Sequence, residues 1–189
     1  SGHDAGRPLD GLHIGMIFEK PSTRTRVSFE VGISQLGGTP VFLAASDLQL
    51  GRGETVGDTA KVLSRYLDGL MIRAMKHETL TELAKNATVH VINGLTDRSH
   101  PCQILADLQT VIEHHGSLNN EVIVWFGDGN NVANSWIEAA ALFGFELRLV
   151  GPEAYHPSAE LIAWALEKGA NIFITKDAQE AARNASVLV

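Results

Sequence analysis

The chain has one cysteine, Cys102. That excludes an intramolecular disulfide and fits a reducing compartment such as the cytoplasm. Long apolar runs are missing, and none approaches the roughly 20 residues of a membrane-spanning helix. Basic charge is scarce: 15 Lys and Arg stand against 22 Asp and Glu, for a formal net charge of −7. With no basic stripe, a general nucleic-acid binder is disfavoured. No internal repeat, low-complexity tract or secretory-signal pattern is visible. The full dinucleotide fingerprint is also lacking. Val132 stands where a third glycine should follow Gly127 and Gly129, and Val150-Gly151 stands where an acidic residue should end the next strand. A nicotinamide role is therefore disfavoured. What remains is an acidic chain of 189 residues, enough for one good core or two small ones.

What is present is alternation. Apolar runs predict strands over Ile14–Phe18, Pro40–Ala44, Leu70–Arg73, Val89–Ile92, Glu121–Phe126, Glu146–Val150, Asn171–Ile174 and Ser186–Val189. Helical spacing predicts helices over Thr23–Leu36, Thr55–Tyr66, Glu78–Asn86, Pro101–His115, Asn131–Phe143, Ser158–Lys168 and Ala178–Ala185. Strands alternating with helices imply an α/β fold with open parallel sheets covered on both faces. Gly116-Ser117-Leu118-Asn119-Asn120 is the best boundary signal. It predicts one domain over 1–116 and a second over 117–189, joined by the helix 101–115.

Two strand-to-helix corners are polar. Ser22-Thr23-Arg24-Thr25-Arg26 follows the first strand and the Glu19-Lys20-Pro21 turn. Ser22 suits an N-cap, and the free N–H groups of a first helical turn carry partial positive charge. Hydroxyls and guanidinium groups at the same place make a site for a tetrahedral oxyanion such as phosphate. Read alone, the segment also suits a capped surface helix with two solvated arginines. Ser99-His100-Pro101-Cys102-Gln103 is the second corner. In open parallel sheets ligands bind at the carboxyl ends of strands, so two such corners can face one crevice. A His-Pro helix start is also an ordinary structural device.

Phe18 to Arg26, together with His100-Pro101-Cys102-Gln103 and Gly127-Asp128-Gly129-Asn130-Asn131, resembles the carbamoyltransferase family, in particular its ornithine branch. The three motifs occur in the family's order and at its approximate spacing. The resemblance implies transfer of a carbamoyl group from carbamoyl phosphate to the side-chain amine of L-ornithine, giving L-citrulline and phosphate. By the same resemblance Ser22, Thr23, Arg24 and Thr25 hold the phosphate. Arg73 spans phosphate and carbonyl oxygen, His100 donates to the carbonyl oxygen, and Gln103 accepts from the carbamoyl NH2. Asn131 contacts the amino-acid head of ornithine, while Asn130 shapes the turn. Gln49 is expected to reach carbamoyl phosphate in a neighbouring subunit of a homotrimer. No metal or organic cofactor is implied.

Relative to the family, a first segment and the portion after Val189 are expected to be missing. Other acceptors remain open, among them putrescine, an acylated ornithine and aspartate; Cys102 and the Asn130-Asn131 pair make aspartate the least favoured. A non-catalytic anion-binding homologue is the alternative outside the enzyme class. Cys102 reads as a packing residue rather than a nucleophile. His114-His115 does not read as a metal site, because adjacent helix residues diverge and no third ligand has suitable spacing. His77 and His156 read as loop or cap residues.

Overall fold

A computed structural model describes residues 6–44, 48 and 53–189. In chain order the first half holds β1 (His13–Phe18), α1 (Thr23–Gln35), β2 (Thr39–Ala44), α2 (Val56–Leu63), β3 (Gly69–Arg73), α3 (His77–Asn86) and β4 (His90–Leu95). The second half holds α4 (Pro101–His115), β5 (Val122–Phe126), α5 (Asn131–Phe143), β6 (Glu146–Val150), α6 (Ala159–Glu167), β7 (Asn171–Thr175), α7 (Ala178–Ala182) and β8 (Val187–Leu188). A short 3-10 turn, Glu153–Tyr155, has no counterpart in the sequence reading.

The strands form two four-stranded sheets, ordered β2-β1-β3-β4 and β7-β6-β5-β8, with parallel pairing throughout. Side chains alternate across each sheet, as the period of two requires. In the first sheet Met16, Phe18 and Met71 pack with Ile33 and Phe29 of α1. Ile17, Leu70 and Ile72 pack on the other face with Ala60, Leu80 and Leu83 of α2 and α3. In the second sheet Ile123, Leu147 and Leu149 join α4, α5 and α6, while Val124 and Val150 meet Ala181 of α7. Burying each such aliphatic side chain contributes about 1.5–3 kcal/mol. Helices therefore cover both faces of both sheets.

Packing divides the chain between Asp97 and Arg98, ahead of α4, whereas the boundary expected at residue 116 follows it. The reason is the apolar stripe of α4. Ile104 and Leu108 are buried in the same cluster as Trp136, Phe145 and Leu147. Two helices, α2 and α7, end three residues sooner than their periodicity predicts. The Ser64 hydroxyl donates to the Ala60 carbonyl and accepts the Thr88 amide, closing α2. Arg148 Nη1 donates to the carbonyls of Ala181 and Arg183, closing α7.

Each sheet has one point where the strand order reverses. In the first unit β2 lies on one side of β1 and β3 on the other. In the second, β6 lies on one side of β5 and β8 on the other. The carboxyl ends of strands at such switch points are where open sheets bind ligands.

Candidate functional site

The first switch point carries the Ser22–Thr25 corner. Phe18 and Arg73 are register partners at the ends of β1 and β3. The chain leaves β1 through Glu19 and Pro21 and enters α1 at the N-cap residue Ser22, whose backbone is extended at φ −154 and ψ 111. Its hydroxyl makes no cap bond. Instead Arg73 Nη1 donates to Ser22 Oγ at 2.9 Å and to Thr25 Oγ1 at 2.8 Å. The guanidinium is thereby seated on the first turn of α1. Arg73 Nε is buried and has no partner among the described residues. A buried donor without an acceptor costs about 1–3 kcal/mol, so a ligand oxygen is favoured beside it.

Thr23 and Arg24 are exposed on the same turn. Arg26 is used differently: it lies 3.7 Å over the Phe42 ring and pairs with Glu30 at 3.4 Å. A groove of about 760 Å³ is lined by Lys20, Ser22, Thr23, Arg26 and Phe42 among others. Beside Arg73 the β3–β4 register shifts between Ile72 and Arg73. Gly94 permits this bulge, since a Cβ there would meet Met71 Sδ at 2.6 Å and the Ile72 carbonyl at 3.1 Å.

The second unit builds its own corner. His100 is the N-cap of α4, half-buried, with Pro101 in the first turn. Its backbone N–H donates to Ser135 Oγ at 2.8 Å, and Ser135 Oγ donates to the Asn131 carbonyl at 3.1 Å. One buried hydroxyl thus ties the start of α4 to the start of α5. Asn130 caps α5 by accepting the amides of Val132 at 2.8 Å and Ala133 at 3.2 Å. Gln103 Nε2 donates to Asp107 Oδ1 at 2.8 Å, one helical turn on. This bond fixes the plane of the amide. Burial pushes the Asp107 carboxyl above its ordinary range, against the smaller opposing effects of Gln103 and His100. Burial also raises the Cys102 thiol, which keeps it protonated and a poor nucleophile at neutral pH.

Against known proteins, the carbamoyl-P binding domain of aspartate/ornithine carbamoyltransferase matches residues 2–113, and the Asp/Orn binding domain matches residues 119–189. The chain belongs to the aspartate/ornithine carbamoyltransferase family. An ornithine carbamoyltransferase from Rhizorhabdus wittichii is 53% identical over 98% of the chain and 60% of its own length. One from Syntrophotalea carbinolica is 54% identical over 95% of the chain and 60% of its own length. The solved ornithine carbamoyltransferase from Pyrococcus furiosus superposes with a TM-score of 0.90 at 48% identity, covering 96% of this chain and 59% of that one. The chain thus spans about 60% of the length of the curated relatives it matches.

After β5, packing sets the glycine at position 129. A Cβ on Gly129 would lie 2.4 Å from Pro157 N, and its amide donates to the Tyr155 carbonyl at 2.7 Å. Gly129 therefore admits the 155–157 segment, which gives it a packing role apart from any pyrophosphate. Of the residues singled out in the sequence, Ser22, Thr25 and Arg73 come together in the first unit, and His100 and Asn131 are bridged in the second. Gln49 lies outside the described residues. Asp107 and Ser135 were not singled out. The four-residue spacing of Gln103 and Asp107 is a signal that helical geometry makes readable; Ser135 gives none. Among the described residues, no group of three or more His, Cys, Asp or Glu side chains could hold a metal ion, and no helix is long and apolar enough to cross a membrane.

Proposed function

We propose that the chain contributes to an enzyme that transfers the carbamoyl group of carbamoyl phosphate to the side-chain amine of L-ornithine, releasing L-citrulline and phosphate. Residues 1–116, counting the linking helix α4 although its apolar stripe packs in the second unit, act as the carbamoyl-phosphate domain and 117–189 as part of the ornithine domain. The observation that carries this reading is the seating of Arg73 on Ser22 and Thr25 at the first switch point, with its Nε buried and unpartnered among the described residues. The reaction needs fixed donors rather than a covalent nucleophile. The neutral amine attacks the carbonyl carbon. Negative charge then grows on the carbonyl oxygen; as the carbonyl re-forms, the C–O bond to phosphate breaks and the proton shed by the amine goes to the departing phosphate. Ser22, Thr23, Arg24 and Thr25 hold the phosphate. Arg73 and His100 stabilise charge on the carbonyl oxygen. Gln103, its NH2 held by Asp107, offers its amide oxygen to the carbamoyl NH2. Asn131 holds the amino-acid head of ornithine.

The enzyme works in the cytoplasm as a homotrimer, with Gln49 reaching carbamoyl phosphate in the neighbouring subunit. The sequence similarity of relatives named as ornithine carbamoyltransferases supports ornithine over other amines. Phosphate release from carbamoyl phosphate is the test, with L-ornithine, putrescine, N-acetylornithine and L-aspartate offered separately to the full-length protein. Release only with ornithine is expected. Release with another amine moves the acceptor. No release with any amine overturns the catalytic reading.

A further inference from the structure

Glu19 closes a ring around Arg73. Its backbone amide donates to the Arg73 carbonyl at 3.0 Å, carrying the β1–β3 ladder one step past the last register pair. Its carboxylate Oε2 accepts the amide of Met75, two residues beyond Arg73. Three residues beyond Glu19, Ser22 accepts the guanidinium of the same arginine. The segment 19–22 therefore grips the β3 exit at its main chain and at its functional side chain.

The far side of that exit is held separately. The Ala74 amide donates to the Leu95 carbonyl at 2.9 Å, and the His77 amide donates to Asp97 Oδ1 at 2.9 Å. With the β4 side fixed, the Glu19 carboxylate is the side-chain tie between the β3 exit and the segment that leads into the Ser22–Thr25 turn. We propose that Glu19 is a positioning residue: through Met75 it fixes the backbone from which Arg73 reaches Ser22 and Thr25, and so sets the geometry of the anion site. This rests on the carbamoyl-phosphate reading given above.

The tie is an accepted N–H bond, so it needs an acceptor oxygen and not a negative charge. Glu19→Gln keeps that oxygen and Glu19→Ala removes it. The side chain is only partly buried at a loop, where both variants are tolerated by the fold. The experiment is calorimetric titration of carbamoyl phosphate into the full-length protein, the two variants, Arg73→Ala and the double variant Glu19→Ala/Arg73→Ala. Glu19→Ala is expected to bind about tenfold more weakly and Glu19→Gln within about twofold of the parent, the scale of one hydrogen bond to a charged group. The double variant is expected to bind as Arg73→Ala does, because a residue that acts through Arg73 has nothing left to position. A residue that merely stabilised the fold would lower the melting temperature without this non-additivity. Unchanged affinity in Glu19→Ala, or losses that add in the double variant, overturns the positioning role while the donor reading stands. A parent protein with no affinity for carbamoyl phosphate overturns both.

Discussion

Arg73 shows how one residue reorganises a local motif. Ser22 has the position of a helix cap, and an ordinary cap would spend its hydroxyl on the amide of the next turn. Here that hydroxyl and Thr25 Oγ1 face a guanidinium that arrives 51 and 48 residues later. The amides of the first turn stay available for an anion. Arg24→Ala is expected to weaken carbamoyl phosphate binding by about 1.5–3 kcal/mol, the range for a hydrogen bond to a charged group. Calorimetry checks this, and an unchanged affinity removes Arg24 from the site. Ser135 makes a second residue-scale case, since its hydroxyl serves both His100 and Asn131. Ser135→Ala removes the hydroxyl that accepts the His100 amide in a part-buried setting. It is expected to lower unfolding free energy by about 1–3 kcal/mol. Denaturant titration reads that loss, and superimposable curves contradict it.

At the scale of elements, α3 borrows a cap from the loop that follows β4. Its own cap residue, Lys76, makes no side-chain cap bond, and Asp97 beyond β4 accepts the His77 amide. The Lys76 ammonium, 3.1 Å away, is the chief cause that holds the Asp97 carboxyl below its ordinary range. A lowered carboxylate contributes stability above its unfolded pKa and loses it as pH falls through the folded one. Between about pH 7 and about pH 3 the parent's melting temperature is expected to drop more than that of Asp97→Asn. The Asn variant keeps an acceptor oxygen and loses the titration. Parallel curves contradict the assignment.

The elements themselves were legible because periodicity is local. The continuous apolar run Ile14–Phe18 marked β1, and the stripe Ile104, Leu108 and Val111 marked α4. The Ser22–Arg26 and His100–Gln103 corners were readable for the same reason, as short runs at strand-to-helix turns. What escaped was non-local. Nothing near Ser135 announces a bond to His100, 35 residues earlier, and nothing near Asp97 announces a cap on α3. The early ends of α2 and α7 likewise depend on Thr88 and Arg148, which lie far along the chain.

For the whole molecule, two parallel sheets each place a polar corner at a switch point. The first presents Ser22, Thr25 and Arg73; the second presents Asn130 and Asn131 after β5. The proposed reading gives each corner one of two substrates. If Gln49 completes a neighbour's site, mixing Gln49→Ala with Arg24→Ala subunits restores part of the turnover that each lacks alone. Each mixed trimer then holds some sites with an intact Arg24 and an intact neighbouring Gln49. Subunit exchange followed by a citrulline assay reads this, and no recovery on mixing shows self-contained sites.

The central claim is that the Arg73 cradle binds carbamoyl phosphate. Calorimetric titration of carbamoyl phosphate into the full-length protein and its Arg73→Ala variant tests it most directly. The account predicts saturable binding to the parent and a loss of at least about tenfold in the variant, the least expected for removing a charged donor. Equal affinity in the two proteins would contradict it.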